Sequence, residues 1–272
     1  MSTILFKEMV FGPVRSRRLG VSLGINLLPS NSKCCSFDCL YCECGLDSPI
    51  LQENVETRHA TACPVQTGSL PTREAIYAAL EHKLSAMQQT GQFPDSITFA
   101  GNGEPTLHPD FAEIIDDTVL LRNRYAPHSK ISVLSNATML HRQKIVDALK
   151  KTDMPILKLD SAIDATIELL NQPAKKEPVS QRIAQLQSFG KQCIVQTMFL
   201  QGTYHGQNVD NTTPAELDAW ERAILDICPG QVMIYTIARV TPVDTLRKVS
   251  GMMLKEIAER IEKHGIPVQI SE

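Results

Sequence analysis

The sequence has few aromatic residues, no long apolar run and no excess of basic charge. Phe, Trp and Tyr make up 5% of its 272 residues. No apolar run approaches the roughly 18 residues that a membrane-spanning helix needs, so no membrane partner is expected. The formal net charge of −3 excludes the general basic balance that drives non-specific binding to nucleic acids or anionic membranes. With 14 glycines and 16 prolines, the composition excludes collagenous and disordered chains.

The first residues lack the features of a secretory signal. Lys7 and Glu8 interrupt the apolar stretch 1–11, and no small-residue cleavage site follows it. We therefore expect a cytoplasmic protein. In a reducing compartment the eight cysteines are not expected to form a disulfide framework, so clustered cysteines indicate metal or redox chemistry.

Short apolar strands alternate with amphipathic helices after a cysteine-rich loop at 34–44. Predicted strands lie near 20–28 and at 96–100, 131–135, 156–160, 194–200 and 232–237. This alternation predicts an α/β fold with parallel strands, either an open doubly wound sheet or a full or partial barrel. We expect one domain over 1–272, with helix and strand repeats over 71–270 and reactive groups where strands end.

Several helix ends and loops can be read directly. Thr72 is a predicted N-cap for a helix whose apolar face carries Ile76, Leu80, Leu84 and Met87. Thr213 to Glu216 reads as a capping box with proline at the first helical position. The helix from Ser180 is expected to stop at Gly190. The stretches 53–70 and 202–208 are predicted loops.

Cys35, Cys39 and Cys42 carry the chemistry, with three and then two residues between them. A structural zinc site would normally need two separated Cys/His pairs, and the second pair is missing. An iron–sulfur cluster fits better. A cubane cluster usually takes four thiolates, so three cysteines leave one iron open for a substrate unless Cys34 or Cys44 closes it.

The other cysteines have a simpler interpretation as small buried hydrophobic residues. They are Cys34, Cys44, Cys63, Cys193 and Cys228.

The cysteine spacing, with Tyr41 before the third cysteine, resembles the radical S-adenosylmethionine (radical SAM) superfamily. The segment 11–24 is similar to the N-terminal signature of the branch that includes the wyosine-type tRNA-modifying enzymes (tRNA-Phe imidazoG synthetase-like). Further similar blocks are 99–106, 158–161, 170–173 and 196–198.

This resemblance implies a partial (β/α)6 barrel similar to a TIM barrel. It also implies that Cys35, Cys39 and Cys42 hold a [4Fe-4S] cluster whose fourth iron binds SAM. One electron, from an external donor of the flavodoxin or ferredoxin type, would cleave SAM to a 5′-deoxyadenosyl radical that abstracts hydrogen from the substrate. The implied cofactor-binding residues are Tyr41, Gly101, Asn102, Gly103, Glu104, Asn136, Lys158, Asp160 and Gln196.

Structural alternatives stay open for these residues. Gly101 to Glu104 also fits an ordinary strand-end turn, and Lys158 with Asp160 fits a structural ion pair. The substrate is open too, because enzymes of the wyosine branch carry a second cluster on upstream cysteines and residues 1–33 contain none. The substrate could be a small molecule, a peptide or RNA. The alternative functions are a glycyl-radical activase and a non-catalytic iron–sulfur electron carrier.

Overall fold

The computed structural model describes residues 4–46 and 70–272. They divide into two compact units. The N-terminal unit comprises 5–35 and 70–155, and the C-terminal unit comprises residue 4, 36–46 and 156–272. Cys63 and all but the last residue of the predicted loop 53–70 lie outside the described residues. The single domain stays a prediction.

The N-terminal unit contains four neighbouring strands in the order β1, β2, β3, β4. They are β1 (Val10–Ser16), β2 (Gly20–Ile25), β3 (Ser96–Phe99) and β4 (Lys130–Ser135). β1 and β2 form an antiparallel hairpin, whereas β2, β3 and β4 are parallel. β3 is buried at every position, as expected for a parallel strand that is covered on both faces.

Three helices follow the strands of this unit: α1 (Arg73–Thr90), α2 (Phe111–Tyr125) and α3 (Gln143–Lys150). Thr72 caps α1 by accepting a hydrogen bond from the amide of Ala75, as predicted. The helix ends at Gly91, whose φ of 68° suits glycine. Its buried residues are the four predicted ones, Ile76, Leu80, Leu84 and Met87.

The C-terminal unit contains four parallel strands in the order β5, β6, β9, β11. They are β5 (Met154–Lys158), β6 (Ile194–Met198), β9 (Gln231–Tyr235) and β11 (Val268–Ser271). Its helices are α4 (Asp164–Asn171), α5 (Val179–Gln187), α6 (Pro214–Ile227) and α7 (Gly251–Glu262). Trp220 of α6 packs edge-on against Phe199, with ring centroids 5.1 Å apart.

The capping box predicted at α6 is only half formed. Thr213 accepts a hydrogen bond from the amide of Glu216. The Glu216 carboxylate accepts instead from the hydroxyls of Ser161 (2.6 Å) and Thr166.

Farther along α6, Glu221 accepts hydrogen bonds from basic residues of α7 and the turn after it. These are Arg260, Lys263 and His264.

The predicted strand 194–200 and the predicted loop 202–208 are corrected by a second, three-stranded sheet. β6 ends at Met198, and β7 (Leu200–Tyr204) begins two residues later. β7 pairs antiparallel with β8 (Gln207–Asp210) and with β10 (Arg247–Lys248). The turn at His205 and Gly206 has φ of 47° and 77°, the two positive values that a tight hairpin turn uses.

The fold class agrees with the prediction: an α/β fold whose eight mainly parallel strands are those of a partial barrel. The six predicted strands are all present, and β1 and β11 are additions to them. Among the described residues, no helix combines the length and the apolar character that a bilayer crossing requires.

Candidate cluster and cofactor site

Of the three predicted cluster cysteines, Cys35 belongs to the N-terminal unit, whereas Cys39 and Cys42 belong to the C-terminal unit. In the described parts of the chain none of these three thiols is in a disulfide bond. Cys39 is buried, and burial raises the pKa of its thiol to about 11, although the charge of Lys158 and the hydrogen bond from Asn171 lower it.

Gly103 pairs with the residue that precedes Cys35. The amide of Cys34 donates to the carbonyl of Asn102 at 2.8 Å, and the amide of Glu104 donates to the carbonyl of Cys34 at 3.0 Å. A Cβ atom at Gly103, where φ is 136°, would lie 1.8 Å from the Cys34 carbonyl oxygen. The glycine is therefore required for close approach to the cysteine loop, and its predicted contact with a cofactor stays a prediction.

Glu104 is a buried carboxylate that is surrounded by neutral donors. One oxygen accepts from the amide and hydroxyl of Thr106, at 3.0 and 2.5 Å, and from the hydroxyl of Ser135 at 2.9 Å. The other oxygen accepts from the amide of Asn136 at 2.6 Å. Burial raises the pKa of Glu104, whereas the hydrogen bonds from Thr106, Asn136 and Ser135 lower it. Within the described part of the chain, all four hydrogen bonds to this carboxyl group come from uncharged donors.

The neighbouring residues Gly101 and Asn102 have internal roles. The Asn102 amide group donates to the carbonyls of Phe6 (2.9 Å) and Pro29 (2.7 Å), and its oxygen accepts from the Phe6 amide. A Cβ at Gly101 would lie 2.2 Å from the side-chain oxygen of Asn26. Both residues shape the turn that carries Glu104, and their predicted contact with a cofactor stays a prediction.

Two asparagine amides donate hydrogen bonds to the sulfurs of predicted cluster ligands. In the N-terminal unit, Asn136 Nδ2 lies 3.5 Å from Cys35 Sγ. In the C-terminal unit, Asn171 Nδ2 lies 3.3 Å from Cys39 Sγ. Asn136 was predicted from its place after a strand, whereas Asn171 was missed as an individual residue. The available signal for Asn171 was its place in the block 170–173 that resembles the family.

Asp160 is the centre of a buried network in the C-terminal unit. Its side chain is 0% exposed. One oxygen accepts from the amide of Met198 at 3.0 Å, and the other accepts from the Tyr41 hydroxyl and from Asn171 Nδ2 at 2.7 Å. Its backbone carbonyl accepts from the side chain of Asn211 at 2.8 Å. The carboxylate thus connects the cysteine loop, α4 and the end of β6.

Lys158 lies beside this network. Its ammonium donates to the Tyr41 hydroxyl at 2.7 Å and lies 3.5 Å from both Asp160 and the Tyr235 hydroxyl. Burial alone would lower the pKa of Lys158, but the charge of Asp160 and the neighbouring Tyr235 raise it above its ordinary value. Lys158 therefore carries a positive charge at a partly open position, with 16% of its side chain exposed.

Gln196 is the residue of β6 that pairs with Lys158 of β5. It is buried, and its Nε2 has no hydrogen-bond partner among the described residues. A buried donor without a partner opposes folding, which is consistent with a site that a bound group completes.

The remaining described cysteines differ in disulfide bonding and in exposure to solvent. Cys34 is disulfide-bonded, which removes it as a fourth cluster ligand and corrects its interpretation as a simple buried residue. Cys193 is fully buried, and burial raises its pKa to about 12. Cys228 is exposed at the C-terminal end of α6, contrary to the expected burial. Cys44 is half-buried and forms no disulfide bond in the described parts of the chain.

The chemistry of the donor set fits an iron–sulfur cluster. Three soft thiols and two amide groups directed at their sulfurs are the ligands and the supporting donors that such clusters use. Within residues 4–46 and 70–272, no group of three or more His, Cys, Asp or Glu side chains is arranged to hold a metal ion. The fit therefore depends on the type of ligand and its hydrogen bonds.

Comparison with known proteins finds several relatives in sequence, and no family model matches the chain. It is 32% identical over 169 residues to a UPF0026 protein of Helicobacter pylori, covering 62% of this chain and 48% of that protein. It is 30% identical over 234 residues to a protein named GTPase Obg of Brachyspira hyodysenteriae, covering 86% of this chain and 30% of that protein. The chain thus spans half or less of the length of these two relatives. It contains no Gly-x-x-x-x-Gly-Lys-Ser/Thr phosphate-binding loop.

Comparison with solved structures defines the fold. A radical SAM methyltransferase from Sphaerobacter thermophilus superposes with a TM-score of 0.63 at 12% identity, over 92% of this chain and 65% of that chain. The chain therefore has the fold of the radical SAM enzymes, and the predicted resemblance is confirmed at this level. Four of its relatives in sequence carry the name UPF0026 protein.

Proposed function

We propose that this chain is a radical SAM enzyme. Cys35, Cys39 and Cys42 would hold a [4Fe-4S] cluster. Bound there, the cluster would supply one electron for reductive cleavage of SAM, which yields the 5′-deoxyadenosyl radical that abstracts hydrogen from a substrate. The substrate, whether a small molecule, a peptide or RNA, and an electron donor of the flavodoxin or ferredoxin type are part of the same proposal.

The observation that carries the proposal is the buried carboxylate of Glu104. Four hydrogen bonds orient it, and within the described part of the chain all four come from uncharged donors. Burying a carboxylate is costly unless a cation pairs with it. The amino group of SAM is such a cation. A non-catalytic electron carrier would not need this site.

A second group of proposed cofactor-binding residues belongs to the C-terminal unit. Lys158 carries the positive charge that a carboxylate of the cofactor would pair with, and the free donor of Gln196 lies on the neighbouring strand. Asp160 would act indirectly, because its oxygens are already occupied by internal donors.

The test is anaerobic reconstitution with iron and sulfide, followed by addition of SAM and dithionite. The wild-type protein is expected to produce 5′-deoxyadenosine. Alanine at any one of Cys35, Cys39 or Cys42 should reduce the product at least a hundredfold, because each removes a cluster ligand. Cys228→Ser, at an exposed cysteine, is the matched control and should behave as wild type. An intact cluster that never cleaves SAM would favour the electron carrier and overturn the proposal.

A further inference from the structure

Asn171, the last residue of α4, holds one fixed orientation against Cys39. Its Nδ2 lies 3.3 Å from Cys39 Sγ and 2.7 Å from Asp160 Oδ2. A carboxylate only accepts hydrogen bonds, so the NH2 group and not the oxygen must face Asp160. One N–H is then directed at Asp160 and the other at the sulfur.

The surroundings of Asn171 leave this amide no freedom to turn. It is completely buried, and the carboxylate that holds it is anchored by the amide of Met198 at 3.0 Å. The backbone is fixed as well. The carbonyl of Asn171 accepts from the amide of Asp38 at 2.9 Å, and the carbonyl of Leu170 accepts from the amide of Leu40 at 3.0 Å. α4 is therefore bonded to the cysteine loop on both sides of Cys39.

The orientation leaves the Asn171 side-chain oxygen without a partner. This buried oxygen accepts no hydrogen bond from any described residue. Such an orphaned acceptor destabilises the fold, so stability alone does not explain an asparagine here. The same orientation directs an N–H group of Asn171 at the sulfur of Cys39, a predicted cluster ligand.

We propose that Asn171 is a positioning residue that donates a hydrogen bond to the Cys39 thiolate and thereby raises the reduction potential of the cluster. Reduction adds negative charge to the cluster and its sulfurs, and a donor to sulfur stabilises that charge. Asp160 holds the donor in place, as second-layer carboxylates do at metal sites. The inference depends on the proposed function, because it requires a cluster on Cys39.

The test is a redox titration of the reconstituted protein, followed by electron paramagnetic resonance of the reduced cluster. Asn171→Leu keeps a similar volume and removes both N–H donors. At a fixed potential, its ratio of reduced to oxidised cluster should fall about tenfold, which for one electron is about 59 mV. Its iron content should equal that of wild type.

A second variant covers the case in which Asn171→Leu does not fold. Asn171→Ser offers a single O–H, which Asp160 would take, so the same shift is expected. Asn208→Leu, at an exposed asparagine of β8, is the control and should leave the potential unchanged. Unchanged potentials in cluster-loaded Asn171 variants would overturn the inference and leave the proposed function standing. A wild-type protein that binds no cluster would instead refute the proposed function.

Discussion

Glu104→Gln removes the charge of the buried carboxylate and keeps its size. Four neutral donors converge on this side chain, so the glutamine amide group must face at least one of them and lose a hydrogen bond. The larger expected effect concerns SAM, whose amino group would lose its proposed counter-ion. Removing one partner of a buried charge pair costs about 2–5 kcal/mol. SAM should therefore bind at least about thirtyfold more weakly, since each 1.4 kcal/mol is tenfold in the dissociation constant.

The assay is calorimetric titration of SAM into cluster-loaded protein under anaerobic conditions. Iron per chain should be unchanged, because Glu104 is not a ligand. Glu256→Gln, on the exposed face of α7, is the control for a lost negative charge. Burial raises the pKa of Glu104, so wild-type affinity should also begin to fall at a higher pH than for an exposed carboxylate. Equal affinity of Glu104→Gln and wild type would refute this reading of the site.

Two further predictions concern the stability of each unit. For Glu221, burial raises the pKa, but hydrogen bonds from basic neighbours outweigh it and lower the pKa to about 2. Glu221→Gln should therefore cost about 1–2 kcal/mol at neutral pH, allowing for solvent screening. A carboxyl group with a lowered pKa stabilises the folded state fully only above its ordinary pKa of 4.5. The difference in unfolding free energy between wild type and Glu221→Gln should therefore disappear as the pH falls from about 4.5 to about 2. Denaturant unfolding at several pH values checks this, and a constant deficit would contradict it. Gly103→Ala, which would place Cβ 1.8 Å from the Cys34 carbonyl oxygen, should lose at least about 1–3 kcal/mol and most bound iron. Gly91→Ala, where a Cβ meets nothing within 4 Å, should retain its iron.

The parallel strands were predictable because their apolar character is continuous. β3 is buried at every position, and the buried residues of α1 recur at helical spacing. β1 was not among the predicted strands; it contains Gly12 and Pro13, which are tolerated because β1 lies at the edge of the sheet. The β7–β8 hairpin was missed because its turn places His205 at positive φ, where asparagine or glycine is the usual signal.

The candidate site was predicted less completely than the fold. Cysteine spacing and strand ends indicate which residue types collect at the edge of a sheet. They do not indicate whether a polar group is satisfied inside the protein. Asp160 and Asn102 were both expected at the cofactor, and both are held by internal hydrogen bonds. Glu104 differs from them, because it is a buried acidic group whose hydrogen bonds, within the described residues, all come from uncharged donors.

The two asparagines show what the sequence could not distinguish. Asn136 and Asn171 both donate to cysteine sulfurs, at 3.5 and 3.3 Å. The oxygen of Asn136 accepts from the backbone amide and hydroxyl of Thr138, so its amide is also part of a local turn. The oxygen of Asn171 accepts nothing from the described residues. The local turn with Thr138 is sufficient reason for an asparagine at position 136. At position 171 the side chain forms hydrogen bonds only with the Cys39 sulfur and the Asp160 carboxylate among the described residues. Of the two, Asn171 therefore supports the proposed cluster on the cysteine loop more specifically.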